Sequence, residues 1–257
     1  MDTGVLADIK AELAEIERQE NVRILYCAES GSRAWGFASP DSDYDVRFIY
    51  VRPVQEYLRL WKTRDVIEWK LDDTLDINGW DIKKALQLLE TSNPTLFEWN
   101  GSPIVYRSSG EWERISSIID RYFRSKHGLY HYLHTAQGNY REYLKGEEVK
   151  LKKYFYVLRP LLACRYILRN NTPPPMLFSE LAETQLEPAL RPVVDELVRA
   201  KMQQPEIGTG RRIDVLNEYI DRSLTEIEAL LSEMPDEPPG DRDELERLFA
   251  DIVLTEK

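Results

Sequence analysis

Apolar and charged positions open the chain in steps of three and four. Leu6, Ile9, Leu13 and Ile16 keep that rhythm, so residues 4–19 are predicted to form an amphipathic helix. Val22 to Ala28 is a short apolar run and reads as a strand. Glu29 to Asp43 is dense in Gly, Pro, Ser and Asp and reads as turns. Asp45 to Val51 is a second strand, and Val54 to Leu60 a helix opened by Pro53. Val66–Leu71 and Thr74–Ile82 give two further strands. Ile82–Glu90 is helical, with Asp81 placed to cap it, and Asn93-Pro94 restarts the chain into a short helix ending near Trp99. From Gly110 onward the pattern turns helical, over 111–123, 127–145, 148–169, 179–202, 212–232 and 241–254, with a stiff break at 173–175 and a loop from Pro235 to Gly240. The fold class this predicts is α+β. A small mixed sheet with flanking helices occupies residues 1–108, and an all-helical domain follows over 109–257.

Composition narrows the class. The chain has 257 residues, 42% hydrophobic and 31% charged, with mean hydropathy −0.48, which excludes wholesale disorder. No stretch has the roughly 18 uninterrupted apolar residues of a membrane span, so no membrane partner is expected. Met1–Glu20 carries acids throughout, unlike a secretory leader. Cys27 and Cys164 each sit in an apolar run, as buried thiols of a cytoplasmic protein would. Net charge is −11. Arg121 to Asn170, however, holds eleven Lys/Arg against three Glu, a local +8. A basic middle in an acidic chain points to a focused anion site, not a surface that coats nucleic acid.

Chemistry concentrates in Ala28–Arg47. A strand runs into Ser30-Gly31-Ser32. Gly31 lets the backbone turn sharply and expose N–H groups, and the Ser32 hydroxyl adds a donor, so the turn suits phosphate. Asp43 and Asp45 then alternate with Tyr44. Strand period two puts Asp43, Asp45 and Arg47 on one face and Tyr44, Val46 and Phe48 on the other. Two carboxylates so placed need a cation: Arg47 is one candidate, and a divalent metal with a taste for hard oxygen is the better one. A third acid is expected from a neighbouring strand. Asp76 and Asp81 both qualify; Asp76, between Leu75 and Ile77, is favoured, because Asp81 falls on the opposite face and suits the helix cap. An acid-then-Gly calcium loop is excluded, since Val46 and Arg52 stand where Gly and Glu are needed.

Gly31-Ser32, Asp43-x-Asp45 and an isolated strand Asp together resemble the polymerase-β-like nucleotidyltransferase superfamily. Gly31-Ser-Arg-Ala-Trp-Gly, Ser42 to Arg47, Gly79 to Lys84, Ser92-Asn-Pro94, Glu98-Trp99, Ser102 to Tyr106 and Lys152 to Arg159 are similar to the RlaP family, predicted nucleotidyltransferases of RNA repair. The resemblance spans about residues 22–180 and implies a nucleotidyltransferase-type sheet. It implies a metal-dependent enzyme that moves a nucleoside monophosphate from an NTP, ATP among them, to an acceptor hydroxyl. Two Mg²⁺ ions, with Mn²⁺ as a substitute, would be held about 3.5–4 Å apart by Asp43, Asp45 and Asp76. Gly31, Ser32, Arg33, Arg47, Lys84, Lys152, Lys153 and Arg159 would bind the nucleotide; Lys152 and Arg159, seven apart, share one helical face. An RNA end is the implied acceptor and a protein acceptor the alternative. A nucleotide-binding or antitoxin-like module acting on a protein partner is the competing function.

The remaining signals are bland. His127, His131 and His134 share one helical face but spread over about 10 Å at 1.5 Å per residue, too far for one zinc ion. Trp69, Trp80 and Trp99 read as core, and Trp35 sits inside the turn-rich loop. There is no Walker motif, no G-x-G-x-x-G and no G-x-S-x-G.

Overall fold

Helix α1 (Thr3–Glu20) buries Ile9, Leu13 and Ile16, the stripe its periodicity marks. The structure, a computed structural model, describes residues 3–72, 74–203 and 208–255. After α1 come β1 (Arg23–Glu29), the single turn α2 (Gly31–Ala34), β2 (Tyr44–Val51) and α3 (Val54–Tyr57). Next are β3 (Val66–Leu71), β4 (Leu75–Asp81), α4 (Ile82–Glu90), α5 (Pro94–Asn100), β5 (Val105–Ser108) and α6 (Gly110–Ser116). The strands form one mixed sheet in the order β3-β4-β2-β1-β5. Among the described residues only the β2/β4 pair is parallel.

Strand alternation sets the two faces of this sheet. In β2, Tyr44, Val46 and Phe48 are buried while Asp45 and Arg47 are half-buried. The buried set joins Ile9, Leu13 and Ile16 of α1 and Ile77 of β4 in one core. Gly79 belongs to that face because a Cβ there would stand 2.4 Å from the Phe48 ring. On the opposite face Asp45 and Arg47 occupy one end of β2, while Ile49, of the same parity, is fully buried further along.

The second half contains α7 (Ser125–Tyr143), β6 (Glu148–Lys150), α8 (Lys153–Asn170), α9 (Phe178–Gln185), α10 (Arg191–Gln203), β7 (Thr209–Arg211), α11 (Asp214–Glu233) and α12 (Arg242–Leu254). Leu129, Leu133, Phe155, Leu158, Leu162 and Ile220 build its core. The Tyr154 hydroxyl donates to Asn217 Oδ1 at 2.7 Å, so a buried polar pair is satisfied inside it. β6 and β7 pair as a small antiparallel ladder within an otherwise helical region. The helix expected over 179–202 is broken into α9 and α10 at a 3₁₀ turn, Pro188–Leu190, where proline removes a helical N–H.

The chain forms two compact units, and they do not divide at residue 108. One comprises 1–31, 43–122 and 239–257; the other comprises 32–42 and 123–238. The expected boundary fails for two physical reasons. Past residue 108 the chain stays with the sheet, where Trp112 of α6 stacks on Tyr26 of β1 with ring centroids 4.6 Å apart. At the other end, α12 returns to α4, where Arg242 Nε donates to Glu90 Oε1 at 2.9 Å. Both cysteines are free and buried, and burial pushes their thiols well up. Among the described residues no helix is long and apolar enough to cross a membrane.

Candidate active site

The parallel β2/β4 register sets Asp45 directly beside Asp76. Both are on the face away from the α1 core, so the two carboxylates are neighbours near one end of the sheet. Asp43 lies exposed one residue ahead of β2. Arg47, two residues beyond Asp45, stands between the two acids. Its Nη2 donates to Asp45 Oδ1 at 2.8 Å and to Asp76 Oδ2 at 2.7 Å. Its Nη1 donates to the Asp76 carbonyl at 2.7 Å. Adjacent carboxylates repel, and this guanidinium offsets them.

The turn after β1 is shaped around Asp45. Gly31 has φ +58, a conformation L side chains rarely adopt. A Cβ at Gly31 would fall 1.9 Å from Asp45 Oδ2 and 2.8 Å from its Cγ. The carboxylate therefore occupies the space that a side chain at Gly31 would fill. The backbone is tied on both sides: Ser30 N–H donates to the Asp45 carbonyl at 2.8 Å, and Asp45 N–H donates to Glu29 Oε1 at 2.9 Å.

Glu29 is the functional neighbour that sequence reasoning missed. It is fully buried at the end of β1, and its other carboxyl oxygen accepts from the Tyr106 hydroxyl. Burial, then the hydrogen bond to Glu29 and its charge, push the Tyr106 hydroxyl far up. In the sequence Glu29 heads the turn-rich run, and an acid ending an apolar strand is the signal that marks it.

Asp81 takes the other role weighed for it. It caps α4 by accepting from Lys83 N–H at 2.8 Å, and the Tyr57 hydroxyl donates to it at 3.0 Å. Burial pushes its carboxyl up, against the cap and the Tyr57 bond, which pull it down. Lys84 is not brought to the carboxylates: it lies beyond the opposite end of β4 from Asp76, where it pairs with Asp65 at 3.8 Å.

The remaining predicted nucleotide-binding residues belong to the second unit. The Ser32 carbonyl accepts from Phe37 N–H at 3.2 Å, and the Arg33 guanidinium donates to the Ser42 carbonyl. Lys152 stands at the start of α8. Lys153 lies over the Tyr143 ring at 3.8 Å, and burial followed by the charge of Lys152 lowers its pKa. Arg159 is not on an open face: it is 3% exposed, with its guanidinium 4.7 Å from the Trp35 ring. A seven-residue spacing identifies a shared stripe but not whether that stripe is core, and at Arg159 it is core.

Carboxylate oxygens are the hard donors Mg²⁺ takes, usually one or two of them with waters and substrate phosphates. Asp45 and Asp76, side by side and half-buried, fit that demand. Among the described residues no three acidic, His or Cys side chains are gathered as a metal-ligating group. Arg47 instead supplies the cation for the pair. Arg47→Gln is therefore expected to destabilise the metal-free protein by on the order of 1–2 kcal/mol, because two neighbouring carboxylates lose their counter-ion. Mn²⁺ should then raise its Tm more than that of the wild type. Equal Tm shifts in a thermal melt with and without Mn²⁺ would contradict this.

A sheet carrying paired acids on adjacent strands beside a glycine turn is the arrangement of a polymerase-β-like nucleotidyltransferase. The chain belongs to the RlaP family, described as the RNA repair pathway DNA polymerase beta family, whose profile matches residues 5–251. It is 43% identical over 244 residues to YcgL of Bacillus subtilis (strain 168), a protein described as uncharacterized, with 94% of each chain covered. It also aligns with the crystal structure of a nucleotidyltransferase-like protein from Exiguobacterium sibiricum 255-15. That alignment covers 89% of this chain and 74% of the other, at 12% identity and a TM-score of 0.31.

Proposed function

We propose that the protein transfers a nucleoside monophosphate from an NTP to an acceptor hydroxyl, and that the acceptor is an RNA end. The observation that carries this reading is the placement of Asp45 beside Asp76 and against the open Cα of Gly31. In the reaction the acceptor oxygen attacks the α-phosphorus. The bond from that phosphorus to the bridging oxygen breaks, pyrophosphate leaves, and the hydroxyl proton passes to a nearby carboxylate or to water. Divalent ions held by Asp45 and Asp76, with Asp43 recruited from just ahead of β2 as a third ligand, would supply charge stabilisation on the attacking and leaving oxygens. The bend at Gly31-Ser32, with Arg33, would grip the polyphosphate through backbone N–H groups and a cation. Lys152 and Lys153 would bind phosphate within the helical unit. Net charge of −11 opposes tight binding of long duplexes, so a short strand end is the fitting substrate.

The test offers each α-labelled NTP with Mg²⁺ to a short RNA and, separately, to a cell lysate. Label on the RNA is the expected result. Label only on a polypeptide would move the acceptor to protein, and no label from any NTP would contradict the transferase reading.

A further inference from the structure

The loop between α3 and β3, residues 58–65, exposes what most loops hide. Trp61 is 81% exposed, Leu60 86% and Leu58 78%. These apolar side chains alternate with Arg59, Lys62 and Arg64. The loop borders a cavity of about 460 Å³ that Lys83, Lys84 and Arg52 also line. Six cations and three acids line it, a local +3 in a chain of −11. The acids do pair with the loop: Arg59 reaches Glu56 at 2.6 Å, and Asp65 lies 3.3 Å from Lys62 and 3.8 Å from Lys84. Arg64 pairs with Glu68 at 2.6 Å. Solvent-exposed pairs of this kind contribute little, so a polyanion can compete for the cations.

We propose that this loop and cavity bind an unpaired polynucleotide strand, with Trp61 as the stacking platform and Arg59, Lys62, Arg64, Lys83 and Lys84 along its phosphates. An aromatic ring standing in solvent among cations offers a base its π-face without regard to sequence. Leu58 and Leu60 offer apolar surface to the same strand. Charge complementarity selects this occupant over an apolar one: a cavity whose cations outnumber its acids two to one matches a repeating anion.

The grip is remote from the carboxylates. The loop is anchored where Asp81 N–H donates to the Asp65 carbonyl at 3.0 Å. Asp81 ends β4, five residues after Asp76, or about 16 Å along the strand. Binding here is thus independent of transfer, and can be read without NTP and with divalent ions chelated. The proposal shares with the transferase reading only the class of polymer.

The experiment is fluorescence anisotropy of the full chain with labelled single-stranded oligonucleotides, RNA and DNA of one sequence, in EDTA. Trp61→Ala is expected to weaken binding about tenfold or more, and Trp61→Phe to restore most of it. Lys62→Ala and Arg64→Ala should each lower the slope of log K against log salt by about 0.7. Equal affinity for both oligonucleotides supports a grip that ignores the sugar, and preference for RNA supports one that reads the 2′-hydroxyl. Because Trp61 is so exposed, its loss does not threaten the fold, which a thermal melt verifies. Unchanged affinity in Trp61→Ala, no binding by the wild type, or binding to anionic vesicles in place of oligonucleotides would overturn the proposal. Transfer that persists alongside any of these would leave the catalytic reading standing.

Discussion

Asp45→Asn and Asp76→Asn are each expected to lower nucleotidyl transfer by about a thousandfold or more, with the fold retained. The carboxylates lie on neighbouring strands, share Arg47 as counter-ion and are half-buried, so an amide fits the same space. What the amide cannot supply is the negative charge that would hold the proposed divalent ion, and a loss on the order of 4 kcal/mol follows from such a deletion. Asp43→Ala should also reduce transfer, since it removes the third proposed ligand. Asp81→Asn is the contrast. Its carboxyl is buried and its pKa raised, so the group favours folding when protonated and loses that contribution as pH rises through the folded value. At neutral pH the Asn variant should therefore be as stable as the wild type or slightly more so, still capping α4, and should transfer normally. A transfer assay beside thermal melts separates these outcomes. Loss of activity in Asp81→Asn with normal activity in Asp76→Asn would reverse the assignment.

Gly31→Ala is expected to cost both stability and transfer, and the two costs have different origins. The backbone at φ +58 costs an alanine about 1–2 kcal/mol by itself. The new Cβ then meets Asp45 Oδ2 at 1.9 Å, so the carboxylate must leave its place beside Asp76 and Arg47. Transfer should fall at least a hundredfold, because a displacement of about 1 Å at a reacting constellation is enough for that. A double-mutant cycle resolves the two origins. In an Asp45→Ala background the contact is gone, and Gly31→Ala should cost only the backbone strain. Additive stability losses would mean that Gly31 and Asp45 do not press on each other.

The elements of the site were legible in the chain; the pairing that assembles them was less so. Tyr44, Val46 and Phe48 alternate with Asp45 and Arg47, so the sequence predicts which face carries charge, and the burial of β2 follows it. Asp76 and Asp81 separate by strand parity, and the cap on α4 fits Asp81. The parallel register that sets Asp45 opposite Asp76 is a non-local choice with no local signal. Glu29 was hidden because a buried acid contradicts the expectation that acids stay solvated; the Asp45 N–H and the Tyr106 hydroxyl that it accepts from help make it tolerable. Tyr106 sits on β5, a four-residue edge strand too short and too exposed to show a period. Lys84 and Arg159 show the same limit from the other side. A basic residue on a helix can face phosphate, a carboxylate or a tryptophan, and the surrounding fold decides.

Anomalous diffraction from crystals soaked with Mn²⁺ and a non-hydrolysable NTP tests the central claim most directly. The account predicts manganese bound to the carboxylates of Asp45 and Asp76, with the Arg47 guanidinium moved off them and the triphosphate at the Gly31 bend. Manganese bound elsewhere, with Arg47 still bridging the two acids and the nucleotide distant from Gly31, would contradict it.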